Sequence, residues 1–181
     1  MSDILELERF IPYRLNRLAD AVSRDYSRIY KDRLGLTRPD WRVLATLGQY
    51  GRVTATRIGA HSAMHKTKVS RAVAALEKRG WLRRSTHEED RRVEHLELTK
   101  AGDAAYREMV PLARAFEARM LERMSEEDRK AVLAGLAALE AALPARTADV
   151  FTERKNRADL AAFNRIMNRK GGQSPASDDA Y

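Results

Sequence analysis

Residues 54–99 constrain the fold more than any other part of the chain, because two helical runs and two strand-like runs follow one another with short connections. The turn Ser62-Ala63-Met64 separates the helical spacing over 54–61 from a second helical run, HKTKVSRAVAALEKRG, which ends at Gly80. The strand-like runs WLRRST and VEHLELT come next and are joined by HEEDRR. A helix, a three-residue turn and a helix have the spacing of a helix-turn-helix, and here a β-hairpin follows directly.

The second helix of this segment has two unlike faces. At about 100° per residue, its apolar residues gather on one side, namely Val69, Ala72, Val73 and Leu76. The opposite side presents Thr67, Arg71, Ala74 and Lys78, with Lys68 and Ser70 at its margins. An arginine can bond a guanine edge or a phosphate, and a small alanine lets a helix approach a groove closely. An ordinary solvated helix has the same charged outer face, so the helix alone leaves both interpretations open.

Positive charge is concentrated in the same part of the sequence. The chain of 181 residues has a formal net charge of +8. Between Arg52 and Lys100, twelve lysines and arginines stand against six acidic residues, so this segment holds six (12 − 6) of those eight charges. Such an excess favours a polyanionic partner, with nucleic acid as the first candidate and an anionic membrane surface as the second.

Motifs of enzymes, metal sites and membrane spans do not occur in the sequence. The absence of cysteine excludes disulfides and thiolate metal sites. His61 and His65 are four residues apart, but Ser62 stands where an H-E-x-x-H zinc motif needs glutamate. Hydrolase, P-loop and dinucleotide-binding fingerprints are missing, so we expect no enzyme activity, cofactor or metal. With no apolar run near the roughly 18 residues of a membrane span and an acidic N-terminus, we expect a cytoplasmic protein.

Helical runs flank the central segment. A long first helix is expected from Glu6 to Leu34, where Gly35 stops it, and the next helix carries Trp41 and ends at Gly48 or Gly51. After Lys100 a helix contains Pro111, at which a kink or a local break is expected. Ser125 caps the following helix, whose apolar stripe has few partners left within the chain; the stripe consists of Val132, Leu136, Leu139 and Leu143.

The predicted fold is mainly α with a small β-hairpin wing, organised in four parts. Residues 6–35 and 100–145 form a helical region, and residues 36–99 form a winged helix-turn-helix region. Residues 146–170 predict a further basic helix, and 171–181 predict a disordered tail.

The segment KVSRAVAALEKRGWLRRSTHEEDRRVEHLELTKAG resembles the core of MarR-type transcription regulators. It combines a V-S-R helix that ends in L-E-x-x-G, a D-x-R wing and an L-x-L-T-x-x-G strand exit. More loosely, the resemblance covers residues 6–145 and implies that the flanking helices form a dimerisation region. Two positions depart from the family pattern: His65 stands where Asp or Ser commonly caps the helix, and Gly59 replaces the usual alanine.

The resemblance implies a homodimeric regulator, usually a repressor, that binds a pseudo-palindromic site on double-stranded DNA. Thr67, Ser70 and Arg71 would then contact bases, while Lys66 and Lys68 would contact the backbone. His65 would contribute a base or phosphate contact in place of a strong cap. In the wing, Asp90 is placed to hold Arg92 so that its guanidinium enters the minor groove.

The resemblance also implies an effector pocket between the dimerisation helices and the DNA-binding lobe, for an aromatic or phenolic carboxylate or its thioester. An arginine can hold a carboxylate while aromatic rings cover the apolar body of a ligand. The residues available there are Tyr13, Arg14, Arg17, Tyr26, Tyr30 and Trp41. The alternative is that the aromatic residues are core or interface residues and the arginines are merely exposed. The rival function is an architectural or protein-interaction winged helix without an effector.

Overall fold

The structure, a computed structural model, describes residues 4–86 and 94–143. The described part is mainly helical with one two-stranded antiparallel sheet, which confirms the predicted fold class. In chain order, the elements are α1 Ile11–Leu34, α2 Arg38–Tyr50, α3 Ala55–His61, α4 Lys66–Lys78, β1 Leu82–Thr86, β2 Glu94–Leu98, α5 Lys100–Glu122 and α6 Glu126–Ala142.

Helix α1 begins five residues later than the spacing predicts. Phe10 is its N-cap and Pro12 is its second residue, a position at which the missing N–H of proline costs nothing. A start at Glu6 would have placed that proline in the helix interior, so the sequence-based boundary was wrong. The predicted stop is confirmed, since Gly35 adopts a left-handed conformation and its N–H donates to the carbonyl of Lys31 at 2.8 Å.

Helix α2 starts from a complete capping box and continues past Gly48. The hydroxyl of Thr37 accepts from the backbone N–H of Asp40, and the Asp40 carboxylate accepts from the N–H of Thr37 at 2.9 Å. The helix ends at Tyr50 with Gly51 as its C-cap, so only the second of the two predicted stops is correct.

The helix-turn-helix agrees with the prediction closely. Helices α3 and α4 are separated by the predicted turn, in which Ala63 has a positive φ of 50°. The core of this region is formed by side chains that α2, α3, α4 and the hairpin bury together, namely Val43, Leu44, Leu47, Ile58, Val69, Ala72, Val73, Leu76, Leu82 and Leu96.

The hairpin is anchored to the core through its returning strand. Strands β1 and β2 pair in the register Leu82↔Leu98 to Thr86↔Glu94, and Leu96 is buried. Val53, which precedes α3, forms a further antiparallel bridge with Leu96, with N–O distances of 3.1 and 2.8 Å. The base of the hairpin is therefore fixed on both sides of β2.

Helices α5 and α6 differ in how much they bury. Helix α5 runs through Pro111 without a break, and it buries Ala105 and Met109 against the rest of the chain. Helix α6 is capped by Ser125, whose hydroxyl accepts from the N–H of Asp128 at 3.0 Å, but none of its residues is buried. Its apolar stripe faces solvent, as expected from the lack of partners. None of the helices in the described ranges is long and apolar enough to cross a membrane.

Several predicted features lie outside the described residues. These are the head of the hairpin with His87, Asp90 and Arg92, the basic helix over 146–170 and the tail over 171–181. They stay predictions from the sequence.

Candidate nucleic-acid interface

Helix α4 exposes the face that the sequence analysis assigned to DNA. Its four predicted core positions are buried, each with at most 2% of its surface accessible. The contact residues predicted on α4 and at its N-cap are exposed, and they are His65, Lys66, Thr67, Lys68, Ser70 and Arg71. Ala74 and Lys78 continue the same exposed face toward the C-terminal end. The local reason is the 3.6-residue period of the helix, which separates the V-x-x-A-V-x-x-L set from the polar residues.

The positive charges at the start of this face are not neutralised within the described part of the chain. Lys66, Lys68 and Arg71 form no ion pair with another described residue, although ten such pairs occur elsewhere in those ranges. Two of these cations lie in the first turn of α4, where backbone N–H groups also attract anions. This end of the helix is therefore suited to phosphate groups.

The N-cap of α4 is weak, as expected when His65 stands in place of Asp or Ser. The imidazole Nδ1 accepts from the backbone N–H of Thr67 at 3.4 Å, which is long for a hydrogen bond. The remaining exposed edge of the ring is free to face a partner.

Arg84 joins the hairpin to α4, a link that sequence analysis missed. Its Nε donates to both carboxylate oxygens of Glu77 on α4 at 3.1 Å, and its Nη1 donates to Glu94 on β2 at 2.6 Å. The bonds to Glu77, and secondarily those to Glu94, raise the pKa of the Arg84 guanidinium. The opposite charges of Arg84 and Glu94 on facing strands were a usable sequence signal for the bond between these two residues. Nothing in the spacing pointed to Glu77.

The residues predicted to bind an effector lie in two separate places. Tyr13, Arg14 and Arg17 line a cleft of about 440 Å³ along the first half of α1, and the guanidinium of Arg17 lies 5.9 Å from the centre of the Tyr13 ring. Tyr26 lies nine residues after Arg17 on α1, which corresponds to a rise of roughly 14 Å along the helix. The six residues are therefore divided between the two places, three in each.

Tyr26 and Trp41 belong to an aromatic cluster that joins α1, α2 and α5. The ring of Tyr26 lies 5.3 Å from Tyr30, 5.7 Å from Trp41 and 5.2 Å from Phe116, and Tyr30 stacks on Trp41 at 6.0 Å. Burial, reinforced by Tyr30, raises the pKa of Tyr26 to about 12. Tyr30 is buried in this cluster, and the other three rings are half-buried.

His61 has a packing role in this structure. Its ring lies edge-on to Tyr50 with the ring centres 5.0 Å apart, and burial lowers its pKa. His61 ends α3 while His65 caps α4, so the turn separates them. In the described ranges, no group of three acidic or histidine side chains could hold a metal ion.

Known proteins with similar sequences are transcriptional regulators. A sequence model of the MarR family matches residues 36–93. The uncharacterized HTH-type transcriptional regulator YfiV of Bacillus subtilis strain 168 is 30% identical over 111 residues, which cover 61% of this chain and 69% of YfiV. YwoH of the same organism is also an uncharacterized HTH-type transcriptional regulator. It is 26% identical over 125 residues, which cover 69% of this chain and 90% of YwoH.

Two solved structures show a similar fold. A MarR family regulator from Silicibacter pomeroyi has a TM-score of 0.63 and 29% identity, and the match covers 77% of this chain and 93% of that one. The S. aureus MepR protein, solved in complex with DNA, has a TM-score of 0.65 over 74% of this chain and 98% of its own. At 17% identity, that likeness concerns the fold alone.

Proposed function

The chain belongs to the MarR family of transcriptional regulators, and on that premise we propose that it is a homodimeric repressor that reads a pseudo-palindromic operator through α4. One observation carries the proposal. The polar face of α4 is exposed from His65 to Arg71, and its three cations lack ion-pair partners among the described residues. Since this helix lies in a segment with six excess positive charges, both the shape and the charge suit a major groove.

The exposed apolar stripes supply the argument for a dimer. On α1, Leu15, Leu18 and Val22 leave 38%, 59% and 40% of their surfaces accessible, although they follow one helical stripe. On α6, Val132, Leu133 and Leu136 are exposed to a similar degree. Exposed apolar stripes of this kind favour an interface, and a second copy of the chain is the partner that the family implies. The two α4 helices then enter successive major grooves about 10 base pairs apart.

In the proposed complex, Thr67, Ser70 and Arg71 contact base edges, and Lys66 and Lys68 contact phosphates. His65 adds a contact at the start of the helix. Asp90 and Arg92 extend the interface into the minor groove, on the evidence of the sequence alone. Because its proposed partner is chromosomal DNA, the cytoplasm is the proposed location.

An aromatic carboxylate or its thioester is proposed as the effector. The cleft on α1 is lined by three arginines, of which Arg24 is paired with Asp20. Arg14 and Arg17, with the Tyr13 ring, offer the chemistry that such a ligand needs. A ligand that binds one spacing of the two DNA-binding lobes more tightly shifts the population toward it and releases the operator. A panel of aromatic acids tests this: if no compound both raises Tm and releases DNA, the effector is removed from the proposal.

The competing function is an architectural winged helix that binds DNA without preference, and a binding experiment separates the two. Sites enriched from a random duplex library are titrated with the protein at two salt concentrations, beside an unrelated duplex of equal length. We expect a preference of at least about a thousandfold for the enriched site and a steep salt dependence on both. Salt-dependent binding without any preference would establish the architectural function instead.

A further inference from the structure

Arg79 connects the end of the recognition helix α4 to the end of α1. It is the C-cap residue of α4, and its guanidinium donates from Nη1 to the carbonyl of Leu34 at 2.6 Å and from Nη2 to that of Gly35 at 2.9 Å. The same guanidinium lies over the ring of Trp81, 5.1 Å from its centre. A cation at the C-terminal end of α1 also complements the helix dipole there.

The turn after α4 is fixed on its other side by α5. The hydroxyl of Thr99 donates to the carbonyl of Gly80 at 2.7 Å, and the backbone N–H of Thr99 donates to the carbonyl of Trp81 at 3.1 Å. Gly102, in the first turn of α5, passes so close to the Trp81 carbonyl that a β-carbon would overlap it. The C-terminal end of α4 is therefore held between the end of α1 and the start of α5.

We propose that Arg79 is a positioning residue that sets the angle of the recognition helix relative to the helices of the dimerisation region. The inference rests on the proposed function, because the angle matters only if two copies read two half-sites. It concerns a residue that contacts no DNA itself, and neither the sequence motifs nor the exposed face of α4 identify it.

The length of α4 makes its angle important. Thirteen residues span about 20 Å, so a rotation of roughly 10° at the Arg79 end moves the opposite end by about 3 Å. That displacement is close to the roughly 3.4 Å that separates successive base pairs. The residues proposed to contact DNA lie at the opposite end, in the first two turns, where the displacement is largest.

The alternative role for an exposed arginine is a phosphate contact, and the geometry disfavours it. Two of the guanidinium N–H groups are already bonded to carbonyls of α1, and one face of the group is covered by Trp81. A lysine at this position would keep the charge, but as a point charge it could not bridge two carbonyls and stack on a ring at once.

The test measures spacing preference as well as affinity. Wild type, Arg79→Ala and Arg79→Lys are titrated against the enriched operator and against versions with one base pair inserted or deleted between the half-sites. We expect both variants to bind the enriched operator roughly two- to thirtyfold more weakly. The ratio of affinities between native and altered spacing should fall in both, with the salt slope unchanged.

Lys31→Ala is the matched control, since it removes a positive charge from the last turn of α1, and no bond from its side chain to α4 is present in the described structure. It should keep the wild-type spacing ratio. A phosphate contact would instead lower the salt slope by about 0.9 in Arg79→Ala, leave the spacing ratio intact and be rescued by lysine, and this result would overturn the inference.

Two further outcomes separate a failure of the proposed function from a failure of the inference about Arg79. If the wild type shows no site preference, the proposed function fails and takes the inference with it. If the wild type prefers its site and both variants keep its spacing ratio, the inference alone fails. Should Arg79→Ala not fold, Arg79→Lys, which retains the side-chain stem and the charge, decides by the same ratio.

Discussion

The ring of Tyr106 on α5 lies directly against the backbone of Gly48 on α2. A β-carbon at Gly48 would overlap the base of the ring, so the two helices approach as closely as they do only because this residue has no side chain. Helix α2 packs in turn against α4, and the contact with Tyr106 therefore helps to set the distance between α5 and the helix-turn-helix.

Gly48→Ala should destabilise the protein by about 1–3 kcal/mol, because overpacking outweighs the gain of up to about 1 kcal/mol that alanine brings to a helix interior. Gly135→Ala on α6 is the matched control, since a β-carbon there meets open space. It should raise the free energy of unfolding slightly. Urea unfolding of both variants measures the difference, and equal stabilisation by the two substitutions would show that Tyr106 moves aside freely.

Helix α2 also illustrates what sequence patterns predict well and what they miss. The face of α4 was correct at every buried position, because the period of a helix is a local property. Gly48 was a plausible stop by the same local rules, yet the helix continues to Tyr50 because the glycine serves a contact with a helix more than fifty residues away. Whether such a glycine ends a helix is decided by tertiary packing.

The candidate site likewise contains residues that sequence patterns predict and residues that they miss. The exposed residues of α4 follow from spacing and charge, whereas Arg79 and Arg84 act through partners on other elements, at positions that no pattern specifies. Tyr26 and Trp41 have the composition of a ligand pocket and that of an aromatic core alike. The sequence therefore did not predict that their rings lie 5.7 Å apart.

Tyr26→Phe should leave the protein as stable as the wild type or stabilise it by up to about 1 kcal/mol. The hydroxyl of Tyr26 is buried and has no hydrogen-bond partner among the described residues, so its removal eliminates an unsatisfied polar group. The neighbouring Tyr30→Phe is the control: burial raises the pKa of its hydroxyl, but the nearby Arg38 and Ser27 side chains oppose that shift. Because this hydroxyl has favourable polar neighbours, its removal should cost about 1 kcal/mol. A clear destabilisation by Tyr26→Phe would mean that its hydroxyl has a partner in the assembled protein.

The pH dependence of unfolding should also distinguish Tyr26→Phe from the wild type. Because the pKa of Tyr26 is about 12 in the fold against 10.0 ordinarily, the folded state retains a proton that the unfolded chain releases. This stabilisation is complete below pH 10 and is lost as the pH rises toward 12. The stability of Tyr26→Phe relative to the wild type should therefore increase between pH 10 and 12. A constant difference over that range would contradict the raised pKa.

Arg84→Met should weaken operator binding severalfold while costing less than about 1 kcal/mol of stability, since its ion pairs are partly exposed. The expected loss comes from the hairpin, which would no longer be tied to α4 through Glu77. Arg83→Met is the control, because Arg83 pairs only with Glu97 on the same hairpin among the described residues, at 2.9 Å. Titrations of both variants on one operator compare the two arginines directly, and equal affinities would show that the link to α4 has no effect on binding.

Arg71→Ala and Lys68→Ala should affect DNA binding in different ways, although both side chains are exposed on the same face of α4. Arg71, in the second turn, is proposed to read a base, so its removal should cost about 1–3 kcal/mol on the operator and much less on unrelated DNA. Lys68 is proposed to contact phosphate, so its removal should weaken all sequences alike and reduce the salt slope by about 1. Lys130→Ala, on α6 and paired with Glu126, controls for the loss of one positive charge elsewhere. Equal losses from Arg71→Ala on every sequence would reassign Arg71 to the backbone and leave base reading to Thr67 and Ser70.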